Sequence, residues 1–472
     1  MKSSLAIIFS LICMAVFSSA MAQFKHALIF AVGNYPEANG WAPISSLNDA
    51  EVINTTLINQ KFEDIRIYRD SQVTPSGIAN AFRELINDKN LHEGDVVVIH
   101  FSSHGEQVED DDGDEVDRLD ECIVTYNAVS PLKANKKDFQ KTQQEYFRDD
   151  QFGDYIRQLR NKLGRNGDII VFIDACHSGT GTRGISKVRG GQLPLVSENF
   201  DSTINAVVDI KSKGVFREKN ALLDDEKDLA TYLVFSAARS DELDYEAKGK
   251  GLGSLSYTIG KVFEKLDAGT TYRSLFAKIQ SVMIEVASNQ HPVMEGNGTD
   301  RELFGGKFIP QKPYVEISNI KGNLAEVKAG LMYGLDIGAK VIVLPSGTND
   351  PYGKIPLASG TVTKAFNYTA IVKLDKNLSN LKPIAGWVFV TEPVYNVIPV
   401  NIGFSSVISK GSNAGFSESE IKDIKEQFKD LPGTSFDGEP ELLLVKGEIR
   451  DSIRIKIASV GYIFNTIKVD NS

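Results

Sequence analysis

Two short stretches of this chain carry residue types that can do acyl-transfer chemistry: Cys176, with Asp174 two positions before it, and His104, followed directly by Gly105. A thiol becomes a nucleophile when a nearby imidazole takes its proton and the resulting imidazolium steadies the thiolate. Gly105 has no Cβ to hold a substrate away, so its N–H, with that of Cys176, can bind the oxyanion formed at a carbonyl under attack. Losing one such donor typically costs about a hundredfold or more. A lone cysteine at a strand end needs no function, since free Cys is among the most buried residue types. The histidine-glycine tip elsewhere is what makes the pair a chemical one.

Both stretches end the same kind of segment. Ile169 to Ile173 is an apolar run entered from Gly167-Asp168 and left at Ser178-Gly179, and Val96 to Phe101 follows Asp95 in the same way. Such runs read as strands buried on both faces of a parallel sheet, and α/β sheets bind ligands beyond the carboxyl ends of their strands. If the two strands are neighbours, His104 meets Cys176 at their tips. The surrounding pattern supplies the rest of an α/β, doubly wound, mostly parallel sheet flanked by helices. Strands are expected at 27–32, 65–68 and 122–125, with helices at 47–59, 76–86 and about 150–163. After a break, 232–236 reads as a strand, 254–266 and 272–287 as helices, and 303–309 as a closing strand.

Ser102-Ser103-His104-Gly105 together with Asp174-Ala175-Cys176-His177-Ser178-Gly179 resembles the catalytic pair of the metacaspases, the caspase-related cysteine peptidases. Gly33-Asn34-Tyr35, Asn48-Asp49-Ala50, Asp112-Gly113-Asp114-Glu115 through Asp120-Glu121, and Gln290-His291-Pro292 follow in the family's order. The resemblance covers roughly residues 24 to 308 and implies a caspase-like fold. It is poorer for animal caspases, whose Gln-Ala-Cys-x-Gly signature is here Asp-Ala-Cys-His-Ser-Gly.

The resemblance implies that Ser46, Asp49, Ser102 and Asp174 line the pocket for the residue on the acyl side of the scissile bond. Ser46 stands where the family more often has Cys. Two carboxylates in a narrow pocket suit a cation, so the expected substrates are basic peptides or proteins cut after Arg or Lys, and cleavage after Asp is not expected. The chemistry requires no cofactor. Calcium is a candidate activator through Asp120, Asp149 and Asp150, although a fourth family carboxylate is Arg183 here. The run 109–115 is not an EF-hand, because Val108 and Leu119 would fall at ligand positions. His177 is a poor base, since neighbours on an extended segment face opposite ways.

Met1-Lys2, the apolar run from Leu5 to Phe17 and Ala20-Met21-Ala22 have the three regions of a secretory signal peptide, too short to span a bilayer. The chain is therefore expected to be exported, periplasmic or secreted, after residues 1–22 are removed. Losing Lys2 takes the formal charge from −10 to −11, which argues against nucleic acid or an anionic membrane as partner. Only Cys122 and Cys176 remain after that cut, so packed cores must stabilise the fold. At 472 residues with 42% apolar and 24% charged composition, the chain has room for several.

Residues 23–310 are expected to form the peptidase-like domain: a large portion at about 24–185, a basic linker at about 186–228 and a small portion at about 229–310. Self-cleavage in that linker is expected at Arg217 or Lys219. A small β domain should follow at 311–393 and an α+β unit at 394–472, whose helix opens at Ser417-x-x-Glu420 with Ile421, Ile424, Phe428 and Leu431 on one face. Neither unit carries a chemical motif. Two functions of different class compete: an Arg/Lys-directed cysteine endopeptidase, and a caspase-like scaffold that binds basic peptides or partners without cutting them. The sequence leaves the oligomeric state open.

Overall fold

A computed structural model describes residues 23–113, 115, 118–175, 188–191, 193–200, 228–239, 242–394, 400–405, 415–428, 434–446, 452–457 and 463–468. Residues 1–22, Cys176, His177, Arg183, Arg217, Lys219 and Leu431 lie outside them.

In chain order come β1 (Lys25–Ala31), α1 (Ser46–Asn59), β2 (Asp64–Arg69), α2 (Pro75–Ile86), β3 (Val96–Ser102), β4 (Gly105–Glu109), β5 (Leu119–Val124), β6 (Tyr146–Arg148), α3 (Asp149–Leu163), β7 (Asp168–Asp174), β8 (Thr231–Ser236), α4 (Ser254–Phe263), α5 (Tyr272–Val286) and β9 (Val293–Gly296). The central sheet has the order β2-β1-β3-β7-β8-β9. It is parallel through β8, and β9 closes it antiparallel. The unbroken apolar runs of β3 and β7 are explained by helices on both faces. Val97, Ile99 and Phe101 join Ile78, Phe82, Phe152 and Ile156 of α2 and α3 in one core. Val96 and Val98 join Ile53, Leu255, Ile259 and Leu275 of α1, α4 and α5 in the other.

Helix starts follow local chemistry. Pro75 opens α2, and the Thr74 hydroxyl accepts from Gly77 N–H at 3.0 Å. Ser45 precedes α1 without a side-chain cap, and its own N–H donates to Glu246 Oε1 at 2.6 Å.

The expected strand at 303–309 is not formed. Phe304 has φ 60° and Gly305 φ 83°, left-handed values that turn the chain instead of extending it. The closing strand is β9, only four residues long and easily passed over in sequence. β4, β5 and β6 make a separate antiparallel sheet.

Beyond residue 310, β10 (Val315–Lys321), β11 (Leu324–Val327), β12 (Lys340–Pro345), β13 (Ala358–Ala365), β14 (Ala370–Leu374) and β15 (Gly386–Glu392) close into a barrel. Further on are β16 (Val400–Phe404), α6 (Glu418–Phe428), β17 (Thr434–Ser435), β18 (Leu442–Lys446), β19 (Ser452–Ile457) and β20 (Ile463–Lys468), a five-stranded sheet with one helix. Ser417 and Glu420 form the expected reciprocal cap on α6. Ile421, Ile424 and Phe428 are half-buried there, not buried.

Candidate active site

The register of the central sheet brings the two chemical stretches together. Ser102, the last residue of β3, pairs with Asp174, the last residue of β7. The chain therefore leaves both strands at one level, two residues before His104 on one side and two residues before Cys176 on the other.

His104 is buried and held from several directions. Its Nε2 lies 2.8 Å from the Ala42 carbonyl oxygen, which can only accept, so Nε2 carries the proton. Nδ1 is left with its lone pair and no partner among the described residues. The ring stacks on Trp41 at 5.0 Å and lies 5.2 Å from the Tyr35 ring. The Tyr35 hydroxyl accepts from the His104 N–H at 3.0 Å and donates to the Val124 carbonyl at 3.1 Å. Burial, and then the Arg189 charge, push the imidazole down to about 4, against the pull of Ala42. It is a neutral base at physiological pH.

Asp49, Ser102, Asp174 and Ser46 are all buried. The first three converge on Arg189, itself fully buried, from the basic segment between β7 and β8. Its guanidinium lies 2.7 Å from Asp49 Oδ2 and 3.6 Å from Asp174 Oδ1, and donates to Ser102 Oγ at 2.8 Å. Ser46 Oγ has no partner among the described residues and makes no bond to this cation.

The pocket is supported from behind by residues that sequence reading missed. Gly253 N–H donates to Asp49 Oδ1 at 2.8 Å, and Ser256 donates to Asp174 Oδ2 through N–H and Oγ at 2.7 and 2.6 Å. A Cβ on Gly253 would fall 2.3 Å from Asp174 Oδ2, so this position requires glycine. His100 Nε2 meets Ser256 Oγ at 3.0 Å. Glu246 adds a carboxylate 3.8 Å from the Arg189 guanidinium. Burial and the Asp174 carboxylate push the Asp244 carboxyl well up. Burial raises Asp49 to about 6 against the Arg189 charge, which leaves it ionised at neutral pH. The only sequence signal for the missed residues was Asp244-x-Glu246, two acids shortly after a buried strand.

The backbone of Arg189 is held as well. Its carbonyl oxygen accepts from Gly105 N–H at 3.1 Å, and its N–H donates to the Asp244 carbonyl at 3.0 Å.

The carboxylates expected to hold calcium fall into two groups. Asp120 stands with Asp110 and Asp111, and Asp149 with Glu115 and Glu121, each trio within 4.8 Å. Asp150 is in neither, although its charge acts on both Asp120 and Asp149. Asp120 is ion-paired to Arg148. Burial raises Asp120 to about 7, and burial with neighbouring carboxylates pushes Asp149 well above the ordinary range.

A caspase-like sheet with a histidine tip beside an acidic pocket defines a class, and comparison with known proteins gives it a family. The caspase domain family matches residues 24–304, and the chain belongs to it. Metacaspase-7 of Arabidopsis thaliana is 29% identical over 195 residues, 39% of this chain and 41% of that protein. Metacaspase-1B of Aspergillus niger is 29% identical over 230 residues, 46% of this chain and 41% of that protein. Metacaspase-1 of Candida glabrata is 28% identical over 173 residues, 34% of this chain and 38% of that protein. The chain thus spans about two fifths of the length of these curated relatives. No helix among the described residues is long and apolar enough to cross a membrane.

Proposed function

We propose that this chain is a cysteine endopeptidase that cuts after Arg, and less readily after Lys, with Cys176 as nucleophile and His104 as base. His104 Nδ1 takes the thiol proton, and the thiolate attacks the carbonyl carbon of the basic residue. Gly105 N–H holds the oxyanion. The C–N bond breaks, the departing amine takes the proton back from His104, and water then hydrolyses the thioester.

One observation carries the reading. An arginine already lies among Asp49, Ser102 and Asp174 with its own carbonyl on Gly105 N–H, as the basic residue of a substrate would. Arginine is favoured over lysine because its planar fork reaches Asp49 and Ser102 together, whereas an ammonium is a point charge on a shorter stem. A panel of fluorogenic peptides ending in Arg, Lys, Gln or Asp tests it. Turnover is expected for Arg first and Lys second, none for Asp, and none with Cys176→Ala. Tight binding of the Arg peptide without turnover would leave the scaffold function instead.

Calcium is proposed as an activator on regrouped ligands, Glu115, Glu121 and Asp149. Three carboxylate oxygens within 4.8 Å, one on a buried residue whose proton affinity its neighbours raise, suit a hard dication. Bound there, it would neutralise their mutual repulsion. Calcium should raise the Tm of Cys176→Ala protein, and Glu121→Gln should abolish that rise. Export follows from the leader-like residues 1–22, and a mature chain beginning at Gln23 is the outcome that N-terminal sequencing should return.

A further inference from the structure

The loops that join β11 to β12 and β13 to β14 meet at one end of the barrel. Leu331 N–H donates to the Phe366 carbonyl at 2.9 Å, and Met332 N–H to the Asn367 carbonyl at 3.2 Å. A Cβ at residue 330 would fall 1.9 Å from the Phe366 carbonyl oxygen, so only glycine lets the two loops come this close. Leu331–Tyr333 make one tight helical turn, ended by Gly334 at φ 73°. Met332, Tyr333, Ile337, Phe366 and Tyr368 are each more than half exposed, from 55% at Phe366 to 71% at Met332. Single apolar side chains on a surface need no explanation, but five on two loops tied by backbone hydrogen bonds form a preformed patch that calls for a partner. The charge here runs against that of the whole chain. Segments 328–341 and 361–373 carry four exposed lysines, Lys328, Lys340, Lys364 and Lys373, against one acid, Asp336, which is buried. That is a formal +3 in a chain of −10. Counting Glu392, exposed at the end of β15, the balance is still positive.

We propose that this end of the barrel docks on an anionic lipid surface, its aromatic and aliphatic side chains entering the headgroup layer and its lysines meeting the lipid phosphates. Tyrosine suits that depth, with an apolar ring and a polar hydroxyl, and lysine can lay its stem along apolar surface while the ammonium stays among the headgroups. Attachment of this kind needs no spanning helix, and none is found among the described residues. Other occupants fit less well. A second copy docked by the same patch would set four lysines against four more, since a two-fold contact pairs like with like. A neutral glycan could stack on Tyr333 and Tyr368 but would leave the lysines without a use. The whole-chain charge disfavours an anionic membrane only as an average. At physiological salt a surface charge is screened beyond about 8 Å, so a bilayer meeting this end feels the local lysines and not the distant acids. The inference makes no use of the peptidase chemistry and stands or falls apart from it.

Vesicle co-sedimentation of the chain from Gln23 onward tests this, the apolar leader being removed so that it cannot itself insert. Vesicles of phosphatidylcholine mixed with phosphatidylglycerol should carry the protein down, and vesicles of phosphatidylcholine alone should not. Binding should weaken as salt rises. The pair Met332→Ser with Phe366→Ser, at exposed sites and with the fold checked by circular dichroism, should lose most of the binding. Lys364→Gln should weaken it about fivefold. Trp41 and Trp387 are buried, so in Tyr368→Trp a blue-shifted emission quenched by brominated lipids should report the new ring entering the bilayer. Several results would overturn the proposal: no sedimentation with either vesicle, sedimentation that the Met332→Ser, Phe366→Ser pair leaves intact, or a Tyr368→Trp emission that brominated lipids do not quench. A dimer in solution that the same pair of substitutions dissolves, or retention on a glycan matrix with none on vesicles, would likewise assign the patch to another occupant and overturn it.

Discussion

Arg189 and Asp49 form an ion pair at 2.7 Å with both side chains fully buried. A buried pair broken on one side leaves an uncompensated charge and typically costs about 3 to 5 kcal/mol. Asp49→Asn keeps the shape but removes the charge and one of the two oxygens that accept from Ser102 and Gly253. Its intact chain should melt below wild type. A charge-assisted hydrogen bond is worth roughly 1.5 to 3 kcal/mol, so kcat/KM on Arg peptides should fall roughly ten- to a hundredfold, with Gln peptides little affected. Equal loss on both peptides would show that Asp49 supports the fold without selecting the substrate.

The same carboxyl sets an acid limit on substrate binding. Burial holds Asp49 at about 6 even with Arg189 beside it. As pH falls through about 6 the carboxylate takes a proton and the pocket loses an anion. Without a guanidinium beside it the carboxyl lies higher still, so KM for Arg peptides should rise as pH falls towards about 6, and Asp49→Asn should flatten that rise. A KM that stays constant down to pH 5 in wild type would contradict this assignment.

Tyr35 positions the base without touching substrate. Its hydroxyl accepts from His104 N–H and donates to the Val124 carbonyl, so Tyr35→Phe leaves two buried backbone groups unpaired. The expected cost is about 1 to 3 kcal/mol for each unsatisfied group. kcat should fall while KM for the Arg peptide stays near wild type, because the acidic pocket is untouched.

Glu106 gives a stability signature of opposite sign to an ordinary surface acid. Burial raises its carboxyl to about 8, and Oε2 has no hydrogen-bond partner among the described residues. A folded-state value above the unfolded one means that the neutral form stabilises the fold at low pH and that this contribution is lost as pH rises through about 8. The Tm of Glu106→Gln minus that of wild type should grow between pH 5 and pH 9. A difference independent of pH would mean that Glu106 does not titrate in this range.

The frame of the site was legible because it is written in local patterns. The unbroken runs of β3 and β7 have no alternation to misread, and their tips follow from where the runs stop. The pocket floor was not legible, because Gly253 and Ser256 reach Asp49 and Asp174 from far along the chain and carry no local signal of their own. Arg189 is one of several cations in the basic segment between β7 and β8. Its role depends on bridges to β4 and Tyr245 that no periodicity announces. At 303–309 the pattern misled outright, since apolar spacing cannot show that Phe304 and Gly305 take positive φ. The resemblance implies Asp120, Asp149 and Asp150 as calcium ligands, whereas the fold sorts the carboxylates into two trios, Asp110, Asp111 and Asp120 in one and Glu115, Glu121 and Asp149 in the other.

The central claim is that Cys176, activated by His104, attacks carbonyls presented by an arginine in the acidic pocket. After residue 22 the chain has one other thiol, Cys122, which is buried, with its proton affinity pushed well up by that burial. Labelling with an arginyl peptide chloromethyl ketone, followed by peptide mapping, therefore reads the claim directly. One adduct is expected, on Cys176, slowed by an excess of Arg peptide and by His104→Gln. An adduct on Cys122, or an active enzyme that the reagent neither labels nor inhibits, would contradict it.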